Sequence, residues 1–234
     1  MALPQLNNPT YKLTLPSNGE EVTYRPFLVK EQKVLMLAIE SEDSGQMARA
    51  VLDIINACTE GKLKNVDKLP TFDIEYLFVN IRAKSVGETI KVVVTCPDDE
   101  TTKVEHEIAI EDINVVKTEG HTNVIQLTDD IGITMRYPSM NQVMAYDMKN
   151  DQTNVTFKII NDCLENIFDS NEVYEDHNEE ELNAFVEQMT TEQFQKVTDF
   201  FTTMPKLKHT VKVTNPNTGV ENEVVLEGMQ SFLG

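Results

Sequence analysis

The chain lacks any apolar run approaching the ~20 residues a membrane-spanning helix needs. Its opening residues, MALPQLNNPT, have neither a basic nor a hydrophobic region, so no signal peptide is expected and the protein should stay in the compartment where it is made. Cysteine is scarce. Cys58, Cys96 and Cys163 cannot all pair, and Cys58 and Cys163 fall on apolar helix stripes, which predicts buried, reduced thiols. Basic clusters are also missing. With a net charge of −19 the chain has no Lys/Arg patch to displace counterions, so nucleic acid and anionic membranes are disfavoured as partners.

Catalytic motifs are absent as well. There is no G-x-x-x-x-G-K-[ST] or G-x-G-x-x-G phosphate loop, no G-x-S-x-G elbow and no H-E-x-x-H helix. The histidines His106, His121, His177 and His209 are scattered over two strands and two loops, and read as surface or partner-bonded groups rather than a catalytic set. The carboxylates of 172–176 and 179–181 lack the alternating Asp/Asn loop and central Gly of a calcium-binding EF-hand and read as a solvated acidic face.

What is present is a soluble composition, 40% hydrophobic and 25% charged over 234 residues, enough for one large domain or two small ones. The stretch Leu69–Gly87 organises the rest. Ile74, Leu77, Phe78 and Ile81 form one apolar stripe; Phe72, Tyr76, Val79 and Ala83 form another beside it. A helix so clothed should be buried from several sides, with Thr71 as N-cap, Gly87 as stop, and Asp73, Asn80 and Lys84 on a narrow polar strip.

In chain order, Tyr11–Leu15 and Glu21–Arg25 form a hairpin around Pro16–Gly19. A helix over Lys30–Glu40 turns Val34, Leu35, Leu37 and Ala38 inward. Asp43 with Gln46 caps a second helix bearing Met47, Val51, Ile54, Ile55 and Cys58, and the core helix and the hairpin Ile90–Thr95/Lys103–Ile110 follow. After a polar segment, Asn114–Asn123, the order recurs. The second series is a hairpin, Asn123–Leu127/Ile133–Tyr137, a helix opened by Ser139 and Gln142, a helix over Asn154–Phe168, a helix capped by Thr190 and Gln193, and a closing hairpin, His209–Thr214/Val220–Leu226. The expectation is an α+β fold of two similar halves, 1–116 and 117–234, each with β-hairpins and a helical layer around a long core helix. The second half carries an acidic insertion at 169–187; one compact domain with an internal repeat is the alternative.

Cys96-Pro97-Asp98-Asp99 and Asn215-Pro216-Asn217-Thr218 stand where the two C-x-x-C knuckles of a zinc ribbon would stand. Only Cys96 supplies sulfur, so these read as degenerate zinc-ribbon-like hairpins held by packing, with no metal and no other cofactor.

The runs TYRPFLVKEQKVLMLA and LPTFDIEYLFVNIRAKSVGE, the later CLENIFDSNEVY, QFQKVTDFFTTMP and LEGMQSF, and their order over Tyr24–Phe232 resemble the T-even-type bacteriophage baseplate family, which comprises a baseplate hub subunit and a hub assembly catalyst. Some relatives carry C-x-x-C knuckles in the hairpin turns; this sequence departs from them at Asp99, Asn215 and Thr218. The resemblance implies a non-enzymatic structural or assembly protein of a contractile phage tail, located in the virion baseplate and assembled in the host cytoplasm. Its partners would be other hub and tail proteins, with self-association as a further option. A transient assembly chaperone absent from the finished particle and a tail-associated hydrolase are the alternatives. Met229, Phe232 and Leu233, beyond the last strand, are candidate interface residues, with packing against their own core as the competing reading.

Overall fold

A computed structural model describes residues 6–146 and 152–232. Its elements in chain order are β1 (Tyr11–Thr14), β2 (Glu21–Tyr24), α1 (Val29–Glu40), α2 (Ser44–Cys58), α3 (Thr71–Val86), β3 (Thr89–Thr95), β4 (Lys103–Ala109) and β5 (Asn114–Val116), followed by β6 (Val124–Gln126), β7 (Gly132–Met135), α4 (Met140–Ala145) and α5 (Gln152–Cys163). Then come β8 (Leu164–Phe168), β9 (Val173–Tyr174), α6 (Glu179–Glu187), α7 (Thr191–Thr203), β10 (Lys206–Thr214) and β11 (Glu221–Glu227). Short 3-10 turns cover Val66–Lys68, Ile110–Asp112 and Met229–Phe232. The fold is mixed α+β, with small antiparallel sheets.

The chain divides into two compact units: Met1–Val116 with Lys206–Gly234, and Lys117–Pro205. These differ from the halves read from element order in one respect. The closing hairpin β10–β11 is part of the first unit, because β10 extends far enough to pair with β5 through Lys206↔Val116, Leu207↔Val115 and Lys208↔Asn114. The polar stretch after β4 thus supplies a strand that its composition conceals.

In the first unit, α3 lies at the centre of packing. Phe72, Ile74, Leu77, Phe78, Val79 and Ile81 are all buried, and α3 meets α2, β5, β10 and the 3-10 turns at 110–112 and 229–232. The inward faces of β3, β4 and β10 add Val92, Val94, Ile108, Leu207, Val211 and Val213 to one core. Pro70, not Thr71, occupies the N-cap position, and no side chain caps the helix. Asp73 is fully buried, unlike the solvated strip residue expected: its carboxylate accepts from the Ser17 amide at 3.1 Å and from the Ser17 hydroxyl, tying the β1–β2 turn to the start of α3. Burial raises the Asp73 pKa, and the two Ser17 bonds oppose that shift.

In the second unit, β6–β7–β8–β9 form a four-stranded antiparallel sheet against α5, α6 and α7. The helix expected to continue to Phe168 stops at Cys163. Leu164–Phe168 is instead strand β8, paired with β7 through Gly132↔Phe168 and Ile133↔Ile167, with an irregularity between Thr134 and Met135. Apolar spacing alone does not separate a short helix segment from a short strand, and here the free edge of β7 decides. The aromatic ring of Phe168 lies over Gly132, where a Cβ would meet it at 2.3 Å.

Candidate protein–protein interface

Three turns in the first unit follow one plan: Leu15-Pro16-Ser17-Asn18-Gly19, Cys96-Pro97-Asp98-Asp99-Glu100 and Asn215-Pro216-Asn217-Thr218-Gly219. In each the fifth residue has a left-handed φ (75°, 55° and 75°) and donates its N–H to the carbonyl of the residue before proline, at 3.0, 2.9 and 2.8 Å. The fourth side chain accepts from the N–H two residues on, through Asn18, Asp99 and Thr218. The residue before each proline (Leu15, Cys96, Asn215) is fully buried.

The second and third turns meet, as the knuckle spacing led one to expect, but what joins them is a hydrogen-bond network. Asp98 is its hub: Asn215 and Asn222 each donate a side-chain N–H at 2.9 Å, Thr218 donates its hydroxyl, and the Asp98 amide donates back to Asn222. Asn217 donates to Thr102 at 2.8 Å. The Asn215 and Thr218 bonds hold the Asp98 pKa below the usual carboxylate value; the Thr102 hydroxyl and amide do the same for Asp99. Asp98, between the knuckle positions, thus has the central role that spacing alone did not signal. Among the described residues no group of three or more His, Cys, Asp or Glu side chains is placed to hold a metal.

The C-terminal candidates fall inside. Met229 is 6% exposed and Phe232 1%, the latter in the same core as Val79 and Val213, while Leu233 lies outside the described residues. The apolar side chains beyond β11 find their groove on their own unit, because Gly228 (φ 74°) turns the chain back and Met229 donates its N–H to Glu75 of α3. Burial raises the Glu75 pKa to about 7, the Met229 bond opposing and nearby Glu227 adding to the shift.

The cysteines are free and buried, and burial pushes the Cys58 and Cys163 thiols up to about 11 and about 12, so neither is an activated nucleophile. His121, read as a surface group, is buried in the second unit between Thr203 (2.9 Å from Nδ1) and Tyr137 (3.0 Å from Nε2), its ring against Phe200. The Thr203 hydroxyl donates to the carbonyl of Asp199, so Nδ1 carries the proton and Nε2 accepts from tyrosine. Both nitrogens are consumed structurally. His209 contacts the Asp112 carbonyl at 3.2 Å.

Helix α1 is the exception to this economy. Glu31, Leu35 and Ala38 are buried, while Val29, Val34, Met36, Leu37 and Ile39 all face solvent, with exposures of 81, 43, 54, 56 and 42%. Val34 and Leu37, expected inside, are outside. The buried strip is set at the N-terminus, where Glu31 accepts from the Leu28 amide at 2.7 Å and pairs with Arg25 at 3.0 Å. Burial opposes the Glu31 charge, yet the Arg25 and Leu28 bonds outweigh it and the pKa falls. Once Glu31 points inward, helical spacing puts Leu35 and Ala38 inward and Leu37 out.

A family model described as T4 bacteriophage base plate protein matches residues 8–234. The chain belongs to that family. No curated protein and no solved structure matches it. As a phage base plate protein it works in company with other base plate proteins. The exposed apolar side of α1 is therefore the surface to weigh first, since it is the largest run of uncovered aliphatic side chains on any one helix among the described residues.

Proposed function

We propose that this base plate protein is a structural hub subunit of a contractile tail, without catalysis, acting through protein–protein contacts in the virion after assembly in the host cytoplasm. The observation that carries the reading is the family match over nearly the whole chain. Two features support it. The ionisable groups that look most like chemistry (Asp98, Asp99, Glu31 and His121) each have hydrogen-bond partners that hold elements of the fold together. The thiols are buried with raised pKa values.

Quantitative mass spectrometry of purified mature particles, run beside assembly intermediates, tests this. Stoichiometric recovery from particles is expected and would give the copy number. Recovery from intermediates alone would replace the subunit reading with that of a transient assembly factor, and absence from both would overturn the tail role.

A further inference from the structure

A helix whose outer side is aliphatic gains by being covered, at roughly 25 cal/mol per Å² removed from water. The outer side of α1 has a particular order. Its midline is Val29, Lys33, Met36 and Glu40, with Leu37 beside Met36. Lys33 and Glu40 are equally far along the helix from the point between Met36 and Leu37. Neither makes an ion pair among the described residues. From Lys33 to Glu40 the pattern is its own complement under a two-fold rotation, while Val29 lies beyond the overlap of the two helices. Turned end for end, Met36 meets Leu37, Leu37 meets Met36, Lys33 meets Glu40, and Glu40 meets Lys33.

We infer that α1 pairs antiparallel with α1 of a second copy of this chain, with Met36 and Leu37 at the two-fold axis and Lys33–Glu40 ion pairs on either side. The interface is isologous and closes at two copies. Charge enters through the complementarity of Lys33 and Glu40. The chain carries −19 overall and repels a copy of itself, but charges beyond a Debye length of ~8 Å are screened at physiological salt. The exposed charges of α1 are Lys30, Lys33 and Glu40, of which Lys30 already lies 3.4 Å from Glu31, and the flanking grooves add Asp53, Glu42 and Asp43, so the attraction comes from the Lys33–Glu40 pairs. The acidic helix α6, with Glu179, Glu180, Glu181 and Glu187, offers no such approach. Antiparallel helices also set opposite dipole ends side by side.

The contact is small. A 12-residue helix is about 18 Å long, and stable dimers bury about 800 Å² per partner. Shallow grooves beside α1, at Leu6 and Val29, at Val34 and Ala57, and at Ile39 and Met47, border the footprint. A weak, concentration-dependent dimer follows. The inference rests on the geometry of α1 and holds whether or not the hub assignment does.

Analytical ultracentrifugation of the full chain from about 5 to 500 μM tests it. The weight-average mass should climb toward twice that of one chain. Leu37→Glu should abolish the climb with an unchanged far-UV circular dichroism spectrum, because Leu37 is already exposed. Lys33→Glu and Glu40→Lys, each placing like charges across the axis twice, should weaken association by about tenfold or more, and the double variant should restore it. A mass that stays at one chain throughout overturns the inference, as does association that survives Leu37→Glu. Failure of the double charge reversal to restore association overturns the antiparallel pairing.

Discussion

Helices α1 and α3 are both rich in large aliphatic side chains, and they meet opposite fates. Of the large apolar residues of α3, Phe72, Ile74, Leu77, Phe78, Val79 and Ile81 are inside and Val86 alone is well exposed; on α1, only Leu35 is inside. Composition does not separate them. Neighbours do: α3 is enclosed by α2, β5, β10 and two 3-10 turns, whereas α1 rests chiefly on α2. The rotation of α1 about its own axis is set by a buried ion pair, Arg25–Glu31, not by its most apolar side. An amphipathic reading ranks residues by hydrophobicity, and so placed Leu35 and Ala38 correctly but turned Val34 and Leu37 inward, because the charged anchor Glu31 did not enter the ranking.

The comparison can be broken by experiment. Phe78→Ala, at the fully buried centre of α3, should cost about 3–5 kcal/mol in chemical denaturation. A cost near that of a surface change would mean α3 is not the core. Arg25→Ala leaves the buried Glu31 with only the Leu28 amide and the exposed Lys30 and should cost about 3 kcal/mol, loosening the N-terminal end of α1. Retention of full stability would show that packing alone orients α1.

Glu75→Gln sharpens the contrast through pH. The folded pKa is raised from the ordinary 4.5 to about 7, so the folded chain holds this proton more tightly than the unfolded one. Its contribution to stability is complete below pH 4.5 and is lost as pH climbs through about 7. Urea midpoints of the parent chain should fall relative to Glu75→Gln across that window and run parallel above it. A constant offset across the window would place Glu75 in water. The smallest effect belongs to α1: Leu37→Ser in dilute protein should shift stability by less than about 0.5 kcal/mol. A loss of several kcal/mol would mean this side is packed within the single chain.

Local signals were legible in the sequence because their partners lie within a few residues. The Asp43, Ser139, Asn178 and Thr190 caps each accept from the amide three residues on, as their spacing states. The turn hairpins β1–β2, β3–β4 and β10–β11 follow from proline, a polar side chain and a left-handed residue in fixed order. The candidate interface was less legible. For Met229 and Phe232 the sequence left interface and own-core packing open, because the groove on α3 that receives them is made by residues far earlier in the chain. Strands β5, β8 and β9 are two to five residues long, and such strands exist by virtue of the edge they complete.

The α+β class, the burial of α3, the positions of the three proline-containing hairpin turns and the family can all be read from the amino-acid sequence. Each rests on periodicity or short-range hydrogen bonding that a linear pattern carries. Tertiary structure alone decided that the closing hairpin returns to the first unit, that Asp98 links two turns more than a hundred residues apart, that the C-terminal segment is sheltered, and that α1 shows its aliphatic side to water. Those outcomes depend on which surfaces meet, and burial is settled by the partner across the contact as much as by the residue itself.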